Sequence, residues 1–230
     1  MSKLEFNQLS QKIRFKKRSF NFTENQVSFL KTAIDSESKL MFLAGPAGTA
    51  KTYMAVYSAL QMMIDSGLEK DILYIRSIAE SADRSIGSLP GSIEEKFGVF
   101  ASPFYDKLHE MLNVTDIKML KEKKQFDCIP VNFVRGANWN DTIVIVDEAQ
   151  NLSFNELMTV LTRIAENSKI IICGDMMQSD IRHSGFSKIF KAFDDDESKQ
   201  NGVFCTSFGV EDIKRSEILK FIVSKLDKEI

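Results

Sequence analysis

Hydrophobic residues along this chain follow two spacings in turn. Apolar stretches of strand length occur within residues 40–44 (LMFLA), 71–77 (DILYIRS), 126–134, 142–150 (TIVIVDEAQ), 169–175 (KIIICGD) and 203–208 (VFCTSF). Short runs rich in β-branched residues predict strands buried on both faces, as in a parallel sheet. Between them apolar residues recur at helical spacing: in QVSFLKTAI, in YMAVYSALQMMI through Ile64, from Pro103 to Asn113, in SFNELMTVLTRIAE, and from Glu211 to Leu226. Thr23 with Gln26, and Ser153 with Glu156, carry the spacing of capping boxes and so mark two helix starts. Gly87, Pro90 and Gly91 predict a loop, the lysine-rich stretch from Thr115 to Lys124 a solvated helix or tip, and Asp194 to Asn201 a polar surface loop. Strands that alternate with helices predict an α/β fold, a mostly parallel sheet with helices on both faces.

Composition narrows this only a little. With 230 residues, 43% of them hydrophobic and 27% charged, the chain fits an ordinary globular α/β domain. We divide it into a basic arm, residues 1–20, and a single domain, residues 21–230. The net charge of −2 gives no global attraction to nucleic acid, so any such contact needs a local patch. The arm offers one: Lys12, Arg14, Lys16, Lys17 and Arg18 are interleaved with Ile13, Phe15 and Phe20, which suits a phosphate backbone and equally an edge strand or solvated arm. No apolar run approaches membrane-spanning length and MSKLEFNQLSQK has no signal-peptide core, so no membrane association and a cytoplasmic location are expected. Cys128, Cys173 and Cys205 are widely spaced and odd in number, as reduced thiols are, and with only His109 and His183 present no zinc site is expected.

The chemistry concentrates in GPAGTAKT, residues 45–52, which follows a predicted strand and opens a predicted helix. That context suits a P-loop: Gly45, Pro46, Ala47, Gly48, Thr49 and Ala50 would curl their main-chain N–H groups around phosphate oxygens, helped by the positive end of the helix. Lys51 would reach the β- and γ-phosphates, and Thr52 would give its hydroxyl to Mg²⁺. Ala50 stands where the pattern has glycine; near-helical φ/ψ is expected there, at which a methyl group costs little. Far downstream, TIVIVDEAQ delivers carboxylates to the carboxyl edge of the sheet, Asp147 for the Mg²⁺ shell and Glu148 to orient or deprotonate an attacking water. Gln178, after KIIICGD, could touch the γ-phosphate or its water, or be a plain turn residue. Gln26 could pair with an adenine edge or serve only the helix cap.

Taken together GPAGTAKT, the IRS…GSLPGS…EEK stretch, VNFVRG, VDEAQN, LTRIAENSKIIICGDMMQSDI and EDIKRSEILKFIV resemble, in order, the blocks of PhoH-like proteins, from roughly Thr23 to Val223. That resemblance implies a RecA-like P-loop ATPase core akin to one half of a superfamily 1 helicase, using ATP and Mg²⁺. By position Gln26 then looks like the adenine-reading glutamine, Lys51 and Thr52 the Walker A pair, Asp147 and Glu148 the Walker B pair, and Gly174-Asp175 with Gln178 the motif that senses the γ-phosphate. It also implies Arg215 as the transition-state arginine, with Arg135 or Arg76 as alternates. Ala50 replaces the family's usual glycine, and Ser77 stands where many members have proline. The length is similar to that of short phage-encoded members, which would act in a host cytoplasm. The expected function is an Mg²⁺-dependent, helicase-like ATPase acting on RNA or single-stranded DNA. Since such enzymes set ATP between two cores, a homo-oligomer is implied, a hexameric ring being one form. An ATP-binding switch with little hydrolysis and a small-molecule kinase are the alternatives.

Overall fold

The computed structural model describes residues 13–16, 21–77, 93–134, 139–178, 181, 183–214 and 216–226, with the main chain alone over 93–99. Helix α1 (Glu24–Ile34) leads into β1 (Leu40–Ala44), α2 (Lys51–Asp65) and β2 (Asp71–Arg76). Next come α3 (Ile93–Met111), α4 (Val114–Glu122), β3 (Phe126–Pro130), β4 (Thr142–Asp147), α5 (Phe154–Leu161) and β5 (Lys169–Gly174). The order closes with α6 (Phe186–Phe193), α7 (Asp196–Gln200), β6 (Val203–Ser207) and α8 (Glu217–Leu226). The six strands form one sheet in the order β3-β2-β4-β5-β1-β6, and every pairing in it is parallel.

Alternation along each strand feeds two cores. Met41, Leu43, Ile72, Tyr74, Ile143, Ile145 and Ile171 pack under α2 and α3 on one face. Phe42, Ile75, Val144, Val146, Ile170 and Ile172 meet Leu157 and Val160 of α5 and Phe186, Ile189 and Phe190 of α6 on the other. Both faces are therefore covered, which is why the strand sequences read as continuous apolar runs. Burying each such side chain contributes roughly 1.5–3 kcal/mol before entropy is charged against it. One cation sits among them: Lys169, at the start of β5, donates to Ala33 O and Asp35 O at 2.6 Å each and to Ser38 Oγ at 2.7 Å. It closes the carboxyl end of α1, and burial lowers its ammonium to about 8.

Both predicted capping boxes form, at Thr23 and at Ser153. Several boundaries differ from expectation. The third strand stops at Pro130 and turns into a 3₁₀ segment, Val131–Phe133; a proline without an N–H is tolerated because β3 lies at the sheet edge. Helix α3 starts at Ile93 and passes through Pro103, giving up one main-chain bond where a helix start was expected. The polar loop at 194–201 contains α7, started by Asp195, whose carboxylate accepts from Ser198 N at 2.7 Å. The terminal helix begins at Glu217, after a separate 3₁₀ turn, Val210–Asp212.

Of the basic arm, residues 13–16 are neither a strand nor free. Ile13 is buried, Phe15 lies 4.6 Å from the Tyr57 ring, and Lys16 bonds to α3 through its main-chain N (Met111 O, 2.7 Å) and its ammonium (His109 O, 2.8 Å). Lys12, Lys17, Arg18 and Phe20 lie outside the described residues, as does the loop around Gly87, Pro90 and Gly91. Cys173 is buried, Cys128 and Cys205 are half-buried, and all three are free thiols. Among the described residues no helix is long and apolar enough to cross a membrane.

Candidate functional site

The site lies at the carboxyl edge of the sheet, where β1 runs into α2 through residues 45–50. Gly48 takes φ +86°, and a Cβ there would come within 2.5 Å of Leu219 Cδ2 on α8. The backbone therefore favours glycine, and a side chain there would also displace Leu219 of the helix packed on the loop. Thr49 is buried and its hydroxyl donates to Pro46 O at 2.8 Å, which closes the loop on itself. The Lys51 ammonium folds back on the same turn, to Gly45 O at 2.6 Å and Pro46 O at 3.0 Å.

Ala50 does not adopt the near-helical backbone expected of it. Its φ of 66° and ψ of 26° lie in the left-handed region, at the residue preceding the first turn of α2. A Cβ in that conformation costs about 1–2 kcal/mol, against which glycine's greater unfolded-state entropy must be set. Ala50→Gly is thus expected to stabilise the fold by about 0.5–1 kcal/mol, read as a higher urea midpoint with an unchanged slope. A midpoint that falls would show the methyl group to be favourably packed.

Strand β4 meets this loop from across β5. Asp147, at its end, is 3% exposed, and Thr52 Oγ1 lies 3.0 Å from its Oδ1 and 3.1 Å from its Oδ2. From the neighbouring strand β2 the Tyr74 hydroxyl donates to Asp147 Oδ2 at 2.7 Å. Burial raises the Asp147 carboxyl above its ordinary value and the Glu148 charge adds to this, while the bonds from Tyr74 and Thr52 and the charge of Arg76 pull it back. Glu148 itself stands in the left-handed region, φ 53° and ψ 41°, before a 3₁₀ turn at Ala149–Asn151. Such backbone strain in a residue other than glycine recurs at functional sites. Arg76 approaches Glu148 Oε1 at 3.5 Å, and Gln150 Nε2 donates to Glu148 Oε2 at 2.5 Å. Gln150 also accepts from Asp175 N at 3.0 Å, so it ties the β4 tip to the β5 tip.

These groups border a cleft of about 520 Å³ that takes in Gly48, Ala50, Lys51, Thr52, Asp147, Glu148, Gln150 and Gly174. Tyr53, Lys107, Glu110 and Lys214 line it too. The oxygen donors of Thr52 and Asp147 suit a hard divalent cation such as Mg²⁺, and the loop with its ammonium suits phosphate.

Other expected residues stand apart. Gln26 is fully buried and gives both amide hydrogens away, to Thr49 O at 3.1 Å and Asp212 O at 3.0 Å, while its Oε1 accepts from Thr23 N. In this arrangement it ties the helix cap to the P-loop, and reading an adenine edge would require those bonds to be given up. Gln178 is exposed and absent from the cleft lining; its main-chain N bonds Asp175 Oδ1 at 3.3 Å in a local turn. Arg215 and Arg135 lie outside the described residues, which leaves Arg76 as the described arginine of the three. Sequence reasoning missed Tyr74, Lys107, Glu110 and Gln150. A tyrosine inside an aliphatic strand is a usable signal for the first, whereas Lys107 and Glu110 form an (i, i+3) ion pair that reads from sequence as a solvated helix face.

A parallel sheet whose first strand opens through a glycine loop into a helix, with a second strand carrying its carboxylate to that helix's threonine, defines a P-loop NTPase domain. The family model described as PhoH-like protein matches residues 21–227. The chain belongs to the PhoH-like family. It is 34% identical to Protein PhoH of Escherichia coli K12 over 200 residues, 85% of this chain and 54% of that protein. It is 38% identical to a PhoH-like protein of Bacillus subtilis over 142 residues, 62% of this chain and 44% of that one. The chain thus spans about half the length of these curated relatives. Among solved structures it is similar to a Pif1 helicase from Candida albicans, with a TM-score of 0.38 and 16% identity over 83% of this chain and 40% of that one.

Proposed function

We propose that the protein is an Mg²⁺-dependent ATPase whose hydrolysis drives action on RNA or single-stranded DNA. One observation carries this: the last residue of the phosphate loop, Thr52, lies within 3.1 Å of both oxygens of a buried carboxylate. When bound, Mg²⁺ would neutralise phosphate charge between Thr52 and Asp147. Lys51 exchanges its loop carbonyls for phosphate oxygens, and Glu148, beside the cleft, accepts a proton from the attacking water. The Gly174-Asp175 strand end lies between β1 and β4, and Gly174 lines the cleft, which favours an ATPase over a small-molecule kinase. Arg76 is already paired with Glu148, so a second cation is drawn from Arg215 of a neighbouring copy in a homo-oligomer, a hexameric ring being one form.

Phosphate release measured with Mg²⁺-ATP alone, with RNA and with single-stranded DNA is the test. Release should rise severalfold with one of the two polymers, from a species that sedimentation shows to be larger than a monomer when ATP is present. A second assignment, an ATP-binding switch, draws on the strained backbone at Ala50. Traces that do not differ among wild type, Ala50→Gly and Glu148→Gln would favour the switch.

A further inference from the structure

We propose that Tyr74 is a positioning residue that fixes the Asp147 carboxylate for the divalent cation, an inference that rests on the nucleotide-binding function above. Position 74 lies on the inner face of β2 among Ile72, Ile143 and Ile145. Phenylalanine would fill the same space, and a hydroxyl buried there costs free energy unless it finds an acceptor. Tyr74 is fully buried, with its ring stacked on Phe104 at a centroid distance of 5.1 Å, so the place of its hydroxyl oxygen is set by packing. The acceptor it finds is Asp147 Oδ2, at 2.7 Å.

Thr52 cannot do this alone. Its hydroxyl oxygen sits at nearly equal distances, 3.0 and 3.1 Å, from the two carboxylate oxygens and does not decide which way the group turns. The shorter bond from Tyr74 singles out Oδ2 and leaves Oδ1 beside Thr52. Outer partners of this kind orient metal-binding carboxylates, and their loss weakens metal binding by about 10–100-fold.

The test is Tyr74→Phe, which keeps the ring and its packing. Thermal denaturation is followed at a fixed excess of a nonhydrolysable ATP analogue while Mg²⁺ is titrated, and Mn²⁺ binding is followed by electron paramagnetic resonance. The Mg²⁺ concentration giving half the stabilisation should rise about tenfold in the variant. Mn²⁺ affinity should fall in parallel, while analogue affinity without metal stays close to wild type. A hydroxyl that served only to stabilise the fold would move the metal-free melting temperature and not the metal midpoint. If wild type responds to Mg²⁺ and the variant's midpoint lies within twofold of it, Tyr74 has no positioning role and the nucleotide assignment survives. If wild type itself shows no Mg²⁺-dependent response, the nucleotide assignment fails and takes the role of Tyr74 with it.

Discussion

On the proposed ATPase function, Glu148→Gln should lower the rate of phosphate release by about 10²–10³-fold and leave nucleotide affinity within a few fold of wild type. Glutamine has the size of glutamate and keeps an oxygen for Gln150 Nε2, so the β4 tip and its link to Asp175 are retained. What it loses is the capacity to take a proton. The Glu148 side chain is 39% exposed, so losing the ion pair with Arg76 costs little stability. A single-turnover assay of phosphate release beside a binding isotherm for a fluorescent analogue separates the two quantities. Equal loss of both would mean that Glu148 shapes the cleft, and an unchanged rate would remove it from the chemistry.

Asp212→Ala should destabilise the domain by about 3 kcal/mol, the largest stability effect expected of a residue outside the apolar core. Asp212 is fully buried in the short turn before α8. Its carboxylate accepts from the Thr23 hydroxyl, from Asn25 Nδ2 at 3.0 Å and from Gly209 N at 2.9 Å. Its carbonyl takes Gln26 Nε2, the same amide that holds Thr49 O. The carboxylate thus pins the start of α1 to the C-terminal turn, while the main-chain carbonyl of the same residue reaches the P-loop through Gln26. Truncation strands the Thr23 hydroxyl and Gly209 N, each costing about 1–3 kcal/mol if left unmet, whereas Asn25 is exposed and turns to water. Urea denaturation measures the loss, and Asp212→Asn, which keeps one acceptor oxygen, should recover part of it. A loss below 1 kcal/mol would mean that the cluster rearranges freely.

The sheet was legible because its strands are buried on both faces, so that LMFLA, TIVIV and KIIIC could hardly be anything else. The loop lysine, its threonine and the β4 carboxylate were legible for a related reason: their chemistry is tied to strand ends, and strand ends were visible. What escaped depends on contacts made far along the chain. The left-handed backbone of Ala50 reflects the path the loop must take between β1 and α2, which no local propensity encodes. For Gln26 the spacing offered a helix cap and a base-reading amide; the cap forms, and its bonds to Thr49 and Asp212 lie beyond any local pattern. At Pro103 and Pro130 a local rule gave way to tertiary context, a long packed helix in one case and an unpaired sheet edge in the other. Tyr74 was read only as one more apolar position because its partner is 73 residues away.

The contact between Leu219 and Gly48 has a mechanical result. With a leucine methyl packed where a glycine side chain would begin, movement of the phosphate loop is felt at the last helix. A ligand that reshapes the loop and one that shifts the helix are then coupled, each changing the affinity for the other by the same factor.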